Sequence, residues 1–167
     1  MAKFTVNWGT NDTYLIGENT SKDVLSTDDV LECLRPAAIN LVDYYKQTIR
    51  RLFNQRTGSF AESIDFDDTV VSDYAFIQVK PFGTHKGGKY TRNSRAGSAE
   101  RKYAKHNRRP ATKAIKNEEL GYLLEYGTPR ISPGYHWMES TNEEVAEEIQ
   151  SIVEDEYTKL LKKKGLI

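Results

Sequence analysis

From Gly83 to Ala114 the chain contains no Ile, Leu, Val, Phe, Met or Trp. Tyr90 and Tyr103 are the only large apolar side chains in that stretch. Fixing the backbone of one residue costs about 1–2 kcal/mol, and burial of apolar surface is the main force that offsets it. A segment of this length with nothing to bury cannot hold itself in a core. The composition therefore predicts an arm over 83–116 that is mobile in the free protein and orders on a partner. The flanking parts must fold together without it.

The arm opens with Gly83 to Thr91, GTHKGGKYT, after the apolar run FIQVKPF. This approaches a phosphate-binding loop. Gly83, Gly88 and Lys89 fit the spacing, but Tyr90 stands where a small hydroxyl would hold magnesium, and Thr91 comes one place late. The following TRNSRAGSAERKY has no apolar helical stripe, so no helix N-terminus is predicted there to cradle phosphate. A magnesium-holding Asp at the end of a second apolar strand is also missing. The glycines are read as loosening a basic loop where the sheet releases it.

Charge is the second constraint. The 24 Lys/Arg and 24 Asp/Glu cancel over the whole chain. Between Gly83 and Lys116, however, eleven Lys/Arg face one acid, Glu100, so this segment carries +10 and the remainder −10. From Glu139 to Glu156 there are eight acids and no Lys or Arg. A chain divided this way favours contact between opposite patches, within one copy or between copies. The candidate contact residues are Lys86, Lys89, Arg92, Arg95, Arg101, Lys102, Lys105, Arg108 and Arg109. Interleaved with Tyr90 and Tyr103, they suit phosphates and exposed bases, or the acidic helix of a neighbouring subunit. The residues leave both open. Glu143, Glu144, Glu147 and Glu148 are the acidic counterpart, as a docking face or as a solvated one.

Outside the arm the pattern reads as α+β. Phe4, Val6 and Trp8 alternate in a strand, and Thr13 to Ile16 returns after the turn GTND, with Glu18 to Lys22 as loop. Asp28 is the expected cap of a helix whose stripe is Val30, Leu34, Ala37, Leu41, Tyr44, Thr48 and Leu52. Pro36 predicts a short helix, a kink near Leu34-Arg35, and a long helix to about Gln55, ended by Gly58. Ser63–Val71 and Tyr74–Phe82 read as strands joined by Ser72-Asp73. A short helix is expected from a cap at Asn117 through Leu120, Leu123 and Leu124 to Gly127. A last helix, with a cap signature in Ser140-Thr141-Asn142-Glu143, carries Val145, Ile149, Ile152, Val153, Leu160 and Leu161 to Gly165. The fold predicted is an antiparallel sheet packed by a long kinked N-terminal helix and a C-terminal helix, with a long basic loop. Residues 1–25 read as an N-terminal extension of strand or hairpin type, and 26–167 as one domain.

Little in the chain resembles catalytic machinery. Asp65, Asp67, Asp68 and Asp73 lie on or beside the wet face of a strand, with no His near them in sequence to complete a metal site. His85, His106 and His136 have no ligand spacing, and no Ser or Cys sits in a nucleophile motif. The single Cys33 cannot form an internal disulfide and lies among apolar helical positions, which suits a core residue in a reducing compartment. No N-terminal signal-like segment and no bilayer-length apolar run is present. A non-enzymatic protein with no metal and no cofactor is expected.

Two stretches carry a family resemblance. One is Arg56 to Ile64, RTGSFAESI, directly after the long helix. The other is Leu120 to Pro129, LGYLLEYGTP, followed by Ser132 to Met138, SPGYHWM. The first resembles a "Thr-Gly-x-hydrophobic-x-x-Ser-Ile" segment through Thr57, Gly58, Phe60, Ser63 and Ile64. The second resembles a "Glu-aromatic-Gly-Thr" turn through Glu125, Tyr126, Gly127 and Thr128, with Pro133, Tyr135 and Trp137 in a Pro-aromatic loop. In this order, over about Asp28 to Lys164, the chain resembles the tail-completion family of tailed bacteriophages, also called minor tail or head–tail joining (neck) proteins. It departs from that pattern before Ser26, at Glu139-Ser140 where Pro-Ala is usual, and in its longer basic loop.

The resemblance implies a virion protein at the head–tail junction, present in the host cytoplasm during assembly. It implies a homo-oligomeric ring, expected to be hexameric, between the connector or head-completion protein and the tail terminator or tail tube. The arm would order against such a neighbour or line the DNA channel, and no membrane is involved. The alternative is a nucleic-acid-binding protein, or a metal-dependent nuclease, that uses the same arm.

Overall fold

The computed structural model describes residues 2–9, 12–19, 25–53, 59–85, 115–127 and 133–167. In chain order the elements are β1 (Ala2–Trp8), β2 (Thr13–Asn19), α1 (Thr27–Leu52), α2 (Ser59–Glu62), β3 (Ile64–Val71), β4 (Tyr74–Pro81), β5 (Thr84–His85), β6 (Ile115–Lys116), α3 (Asn117–Tyr126) and α4 (Trp137–Lys163). The class is α+β. A four-stranded antiparallel sheet, ordered β1-β2-β4-β3, is packed by α1 and α4.

Alternation builds the sheet. Leu15 on β2 and Ala75, Ile77 and Val79 on β4 are fully buried, while the residues between them are half-buried on the other face. The buried face meets α1. β3 and β4 join through Ser72-Asp73, and Ser72 takes φ 54, the left-handed value that a two-residue hairpin turn requires. β2 continues to Asn19, beyond the loop expected from Glu18, because Asn19 still bonds Asp73 across the β4 side at 2.8 Å. The hairpin read as an extension supplies two of the four strands, β2 lying inside the sheet.

The cap of α1 is Ser26, two residues before the expected one. Ser26 Oγ accepts from Asp29 N at 3.1 Å, and Asp29 Oδ2 accepts from Ser26 N at 2.8 Å. This capping box satisfies two donors together, which Asp28 alone could not do. Pro36 lies inside one continuous helix rather than between a short and a long one. Only one donor is lost there, and the packing of Leu34, Ala37, Ala38 and Leu41 spans it. The stripe also rotates: Tyr45 and Ile49 are buried, Tyr44 is half-exposed and Leu52 is exposed. The helix ends at Leu52 with Phe53 as its cap, and Gly58 lies outside the described residues.

α4 runs antiparallel to α1 and is tied to it along its length. Arg51 faces Glu144 at 3.8 Å. The Thr141 hydroxyl lies 2.8 Å from both the Thr48 hydroxyl and the Trp137 carbonyl. Tyr44 Oη donates to Glu148 at 2.6 Å, and Lys164 Nζ reaches Asp29 at 2.8 Å. Val145, Ile149 and Val153 fill the seam, and Leu160 joins Leu25 and Cys33 in a smaller cluster. At the far end Leu166 N bonds Leu161 O and Gly165 N bonds Lys162 O, with Gly165 at φ 69, the double closure of a helix that stops on glycine.

β5 and β6 pair Thr84 with Lys116 and His85 with Ile115. The outermost residues of the predicted arm are thus joined, and 86–114 lies outside the described residues. Among the described residues no helix is long and apolar enough to cross a membrane.

Candidate functional site

The residues of the second motif meet at one junction, between the end of α3 and the start of α4. α4 starts at Trp137, one turn before the expected cap at Ser140. His136 precedes it with φ 47, and its side chain caps none of the helix N–H groups. The open N–H groups of the first turn meet Glu125 instead. Glu125 Oε2 accepts from Met138 N at 2.7 Å and Oε1 from Glu139 N at 3.0 Å. The residue is only 2 % exposed, and its charge faces the positive end of α4. Charge-assisted bonds of this kind are roughly twice as strong as neutral ones.

The loop geometry follows from that closure. Gly127 ends α3 at φ 85 and ψ −176, a region essentially reserved for glycine. The chain returns so closely that a Cβ on Gly134 would lie 2.1 Å from the Glu125 carbonyl oxygen. Tyr135 N bonds Leu124 O at 2.8 Å and His136 N bonds Glu125 O at 3.1 Å. Trp137 then enters the core fully buried, donating Nε1–H to Gly121 O at 3.1 Å. Its ring meets Tyr45 and Phe60 edge-on, at 5.4 and 6.0 Å between centroids. Tyr135 stays exposed and sets its ring against Phe53 at 4.5 Å. Tyr126 stacks obliquely on Tyr122 at 4.7 Å.

A buried polar chain backs the junction. Asn142 Oδ1 can only accept, so Tyr45 Oη donates to it at 2.6 Å and takes its own bond from Thr13 Oγ1 at 2.7 Å. Burial is the main cause that pushes the Tyr45 phenol well above its ordinary pKa. Beside this lies a cavity of about 440 Å³ lined by Trp8, Glu125, Tyr126, Glu139, Asn142 and Glu143.

Glu125, His136 and Glu139 bring donor atoms within 4.8 Å of one another, although His136 showed no ligand spacing in the sequence. His136 Nδ1 lies 3.0 Å from Glu139 Oε2. Both Glu125 oxygens already hold backbone donors, and the helix end beside them is positive, which opposes a cation. The arrangement serves the helix terminus.

The other sequence-predicted residues divide clearly. Lys86, Lys89, Arg92, Arg95, Arg101, Lys102, Lys105, Arg108, Arg109, Thr57, Gly58 and Thr128 lie outside the described residues. Ser63 closes a turn, its Oγ donating to Phe60 O at 2.6 Å. Of the four α4 acids, Glu144 and Glu148 engage Arg51 and Tyr44 of α1, while Glu143 and Glu147 are exposed. Asp68 is bound by Arg35 at 2.8 Å. Cys33 is buried, and desolvation pushes its thiol up to about 11. Asn117, the expected cap of α3, sits inside the first turn and donates Nδ2 to Phe82 O at 2.6 Å, tying α3 to the end of β4.

The role of Glu125 was not legible from its own neighbours. The available signal was indirect: His136 is a poor cap, so the first turn of α4 needed an acceptor from elsewhere. Compared with known protein families, with curated proteins and with solved structures, the chain has no match.

Proposed function

We propose that this chain is a structural protein of a tailed-bacteriophage virion that acts at the head–tail junction. It docks as a homo-oligomeric ring between the connector or head-completion protein and the tail terminator or tail tube. The observation that carries this reading is the α3–α4 junction. The "Glu-aromatic-Gly" stretch and the Pro-aromatic loop, separate in sequence, are interlocked there by Glu125, Gly134 and Trp137. Each of these residues has a scaffold role, and this supports a protein that works by presenting surfaces. The exposed acids of α4 and the basic segment 86–109 are the surfaces proposed for docking.

Deleting Lys86 to Arg109 tests the proposal. The shortened protein is expected to melt cooperatively near the temperature of the full chain, while ring formation or joining of heads to tails, seen by electron microscopy, is lost. Retained joining, or loss of the cooperative melt, overturns it. The +10 segment favours a second reading, direct binding of nucleic acid. A binder contacting six or more phosphates would lose roughly 10³-fold in affinity between 50 and 200 mM salt. A neck scaffold is expected to bind DNA weakly until assembled.

A further inference from the structure

The sheet ends in two strands, β1 and β3, and among the described residues neither pairs with another strand on its outer side. The parity of each edge is readable. Phe82 N bonds Ser63 O at 2.7 Å, so the odd-numbered residues of β3 face β4. The main chain of Ile64, Phe66, Asp68 and Val70 therefore points outward. On β1, Ala2 N reaches outward to Tyr157 Oη at 2.8 Å, so Ala2, Phe4, Val6 and Trp8 point away from β2. Phe66 N is held by its neighbour Asp65 Oδ1 at 2.9 Å. Among the described residues the main-chain groups of Phe4, Val6 and Trp8, and those of Asp68 and Val70, have no partner.

We infer that these two edges are complementary halves of one interface, and that the occupant is a second copy of this chain. Three features fit. First, every neighbouring pair in the order β1-β2-β4-β3 is antiparallel, so β1 and β3 run in opposite directions. A copy that continues the sheet brings its β3 against β1 as another antiparallel pair. Second, the layers match in width. Four strands span about 19 Å and two packed helices about the same. α1 lies under β2, β3 and β4 while α4 reaches β1, so each edge of the sheet has a helix beneath it.

Third, charge favours this pairing over that of β3 with β3. The outer face of β3 carries Asp65 and Asp67, and that of β1 carries Lys3. Pairing β3 with β3 sets acids against acids, which is unfavourable across strands. Pairing β1 with β3 and Phe4 opposite Asp68 places Lys3 diagonally from Asp67. It also sets Val70, 41 % exposed, opposite Ala2, where the Val70 N–H meets the Ala2 carbonyl while the Ala2 N–H stays with Tyr157. Unlike edges make a head-to-tail contact, which closes into a ring when the rotation permits. This deepens the proposed ring and rests on the chain assembling with itself. Its test needs no phage component, so the two can fail separately.

One introduced cysteine per copy, in addition to the buried Cys33, reads the contact. In the stated register Thr5 of one copy faces Asp67 of the next, within reach of a disulfide. Within one copy they sit at opposite edges, about 14 Å apart by strand spacing, too far to bridge. Full-length Thr5→Cys and Asp67→Cys are purified, verified by thermal melting, mixed at high concentration and mildly oxidised. A covalent dimer is expected in the mixture and in neither variant alone. Val70→Pro, which removes an outward N–H, is expected to cut the yield severalfold. Val70→Lys keeps every main-chain group but sets a charge at the contact, and is expected to lower the yield as well should proline disturb the fold. Dimers from one variant alone, no dimer in the mixture, or a yield indifferent to both Val70 changes would overturn the inference.

Discussion

Glu125 holds an almost dry carboxylate by spending both oxygens on the first turn of α4. Removing the acceptors strands the buried Met138 N–H and the part-buried Glu139 N–H, and a buried donor left unsatisfied costs about 1–3 kcal/mol. Glu125→Ala is therefore expected to lose stability on that order in urea denaturation, and Glu125→Gln, which keeps one acceptor, to lose less. At the opposite end of α4, the bond from Lys164 is the main cause that holds the Asp29 carboxyl below its ordinary value. A depressed folded value stabilises the protein above the unfolded pKa of about 3.9, and the contribution disappears as pH falls through the folded value. Lys164→Gln is expected to lower stability at neutral pH, and its difference from the parent to shrink on acidification through that window. Cys33, with its thiol pushed up to about 11 by burial, is expected to resist alkylation at neutral pH until the chain is unfolded.

Elements were legible where periodicity and burial agree. β3, β4 and their Ser72-Asp73 turn lie where alternation predicts, because one face is buried and a slip of one residue would expose it. Both long helices were visible from their stripes, and both starts were misplaced, for different reasons. Ser26 forms a reciprocal box with Asp29, a stronger device than Asp28 alone. α4 is capped by a residue of another element, which no local pattern encodes. Pro36 misled because the propensity penalty was weighed without the packing that spans it. An interior proline costs about 3 kcal/mol relative to alanine, so Pro36→Ala is expected to raise stability by about 1–3 kcal/mol and the melting temperature with it. Trp137→Ala removes an anchor shared by α1, α2, α3 and α4, and is expected to cost about 3–5 kcal/mol by chemical denaturation.

For the whole molecule, the α+β class followed from the two apolar parts flanking a segment with nothing to bury. The candidate site was legible only as a set of residues. Glu125, Gly127 and Trp137 were singled out by the resemblance, but their convergence depends on the close return of the chain at Gly134, a distance that spacing does not encode. The integration of β1 and β2 into the sheet was hidden for a similar reason. β2 pairs with β4, more than fifty positions away, and alternation says nothing about partners. The β5–β6 clasp has its own consequence. The segment 86–114 departs and re-enters at one point, so the framework experiences it as a single attachment. Because the entropy of closing a loop grows only with the logarithm of its length, about 0.6 kcal/mol per doubling, a change in the number of residues between the two clasped strands is expected to cost the frame little. An inserted tag between the two strands is expected to leave the melting temperature of the frame nearly unchanged.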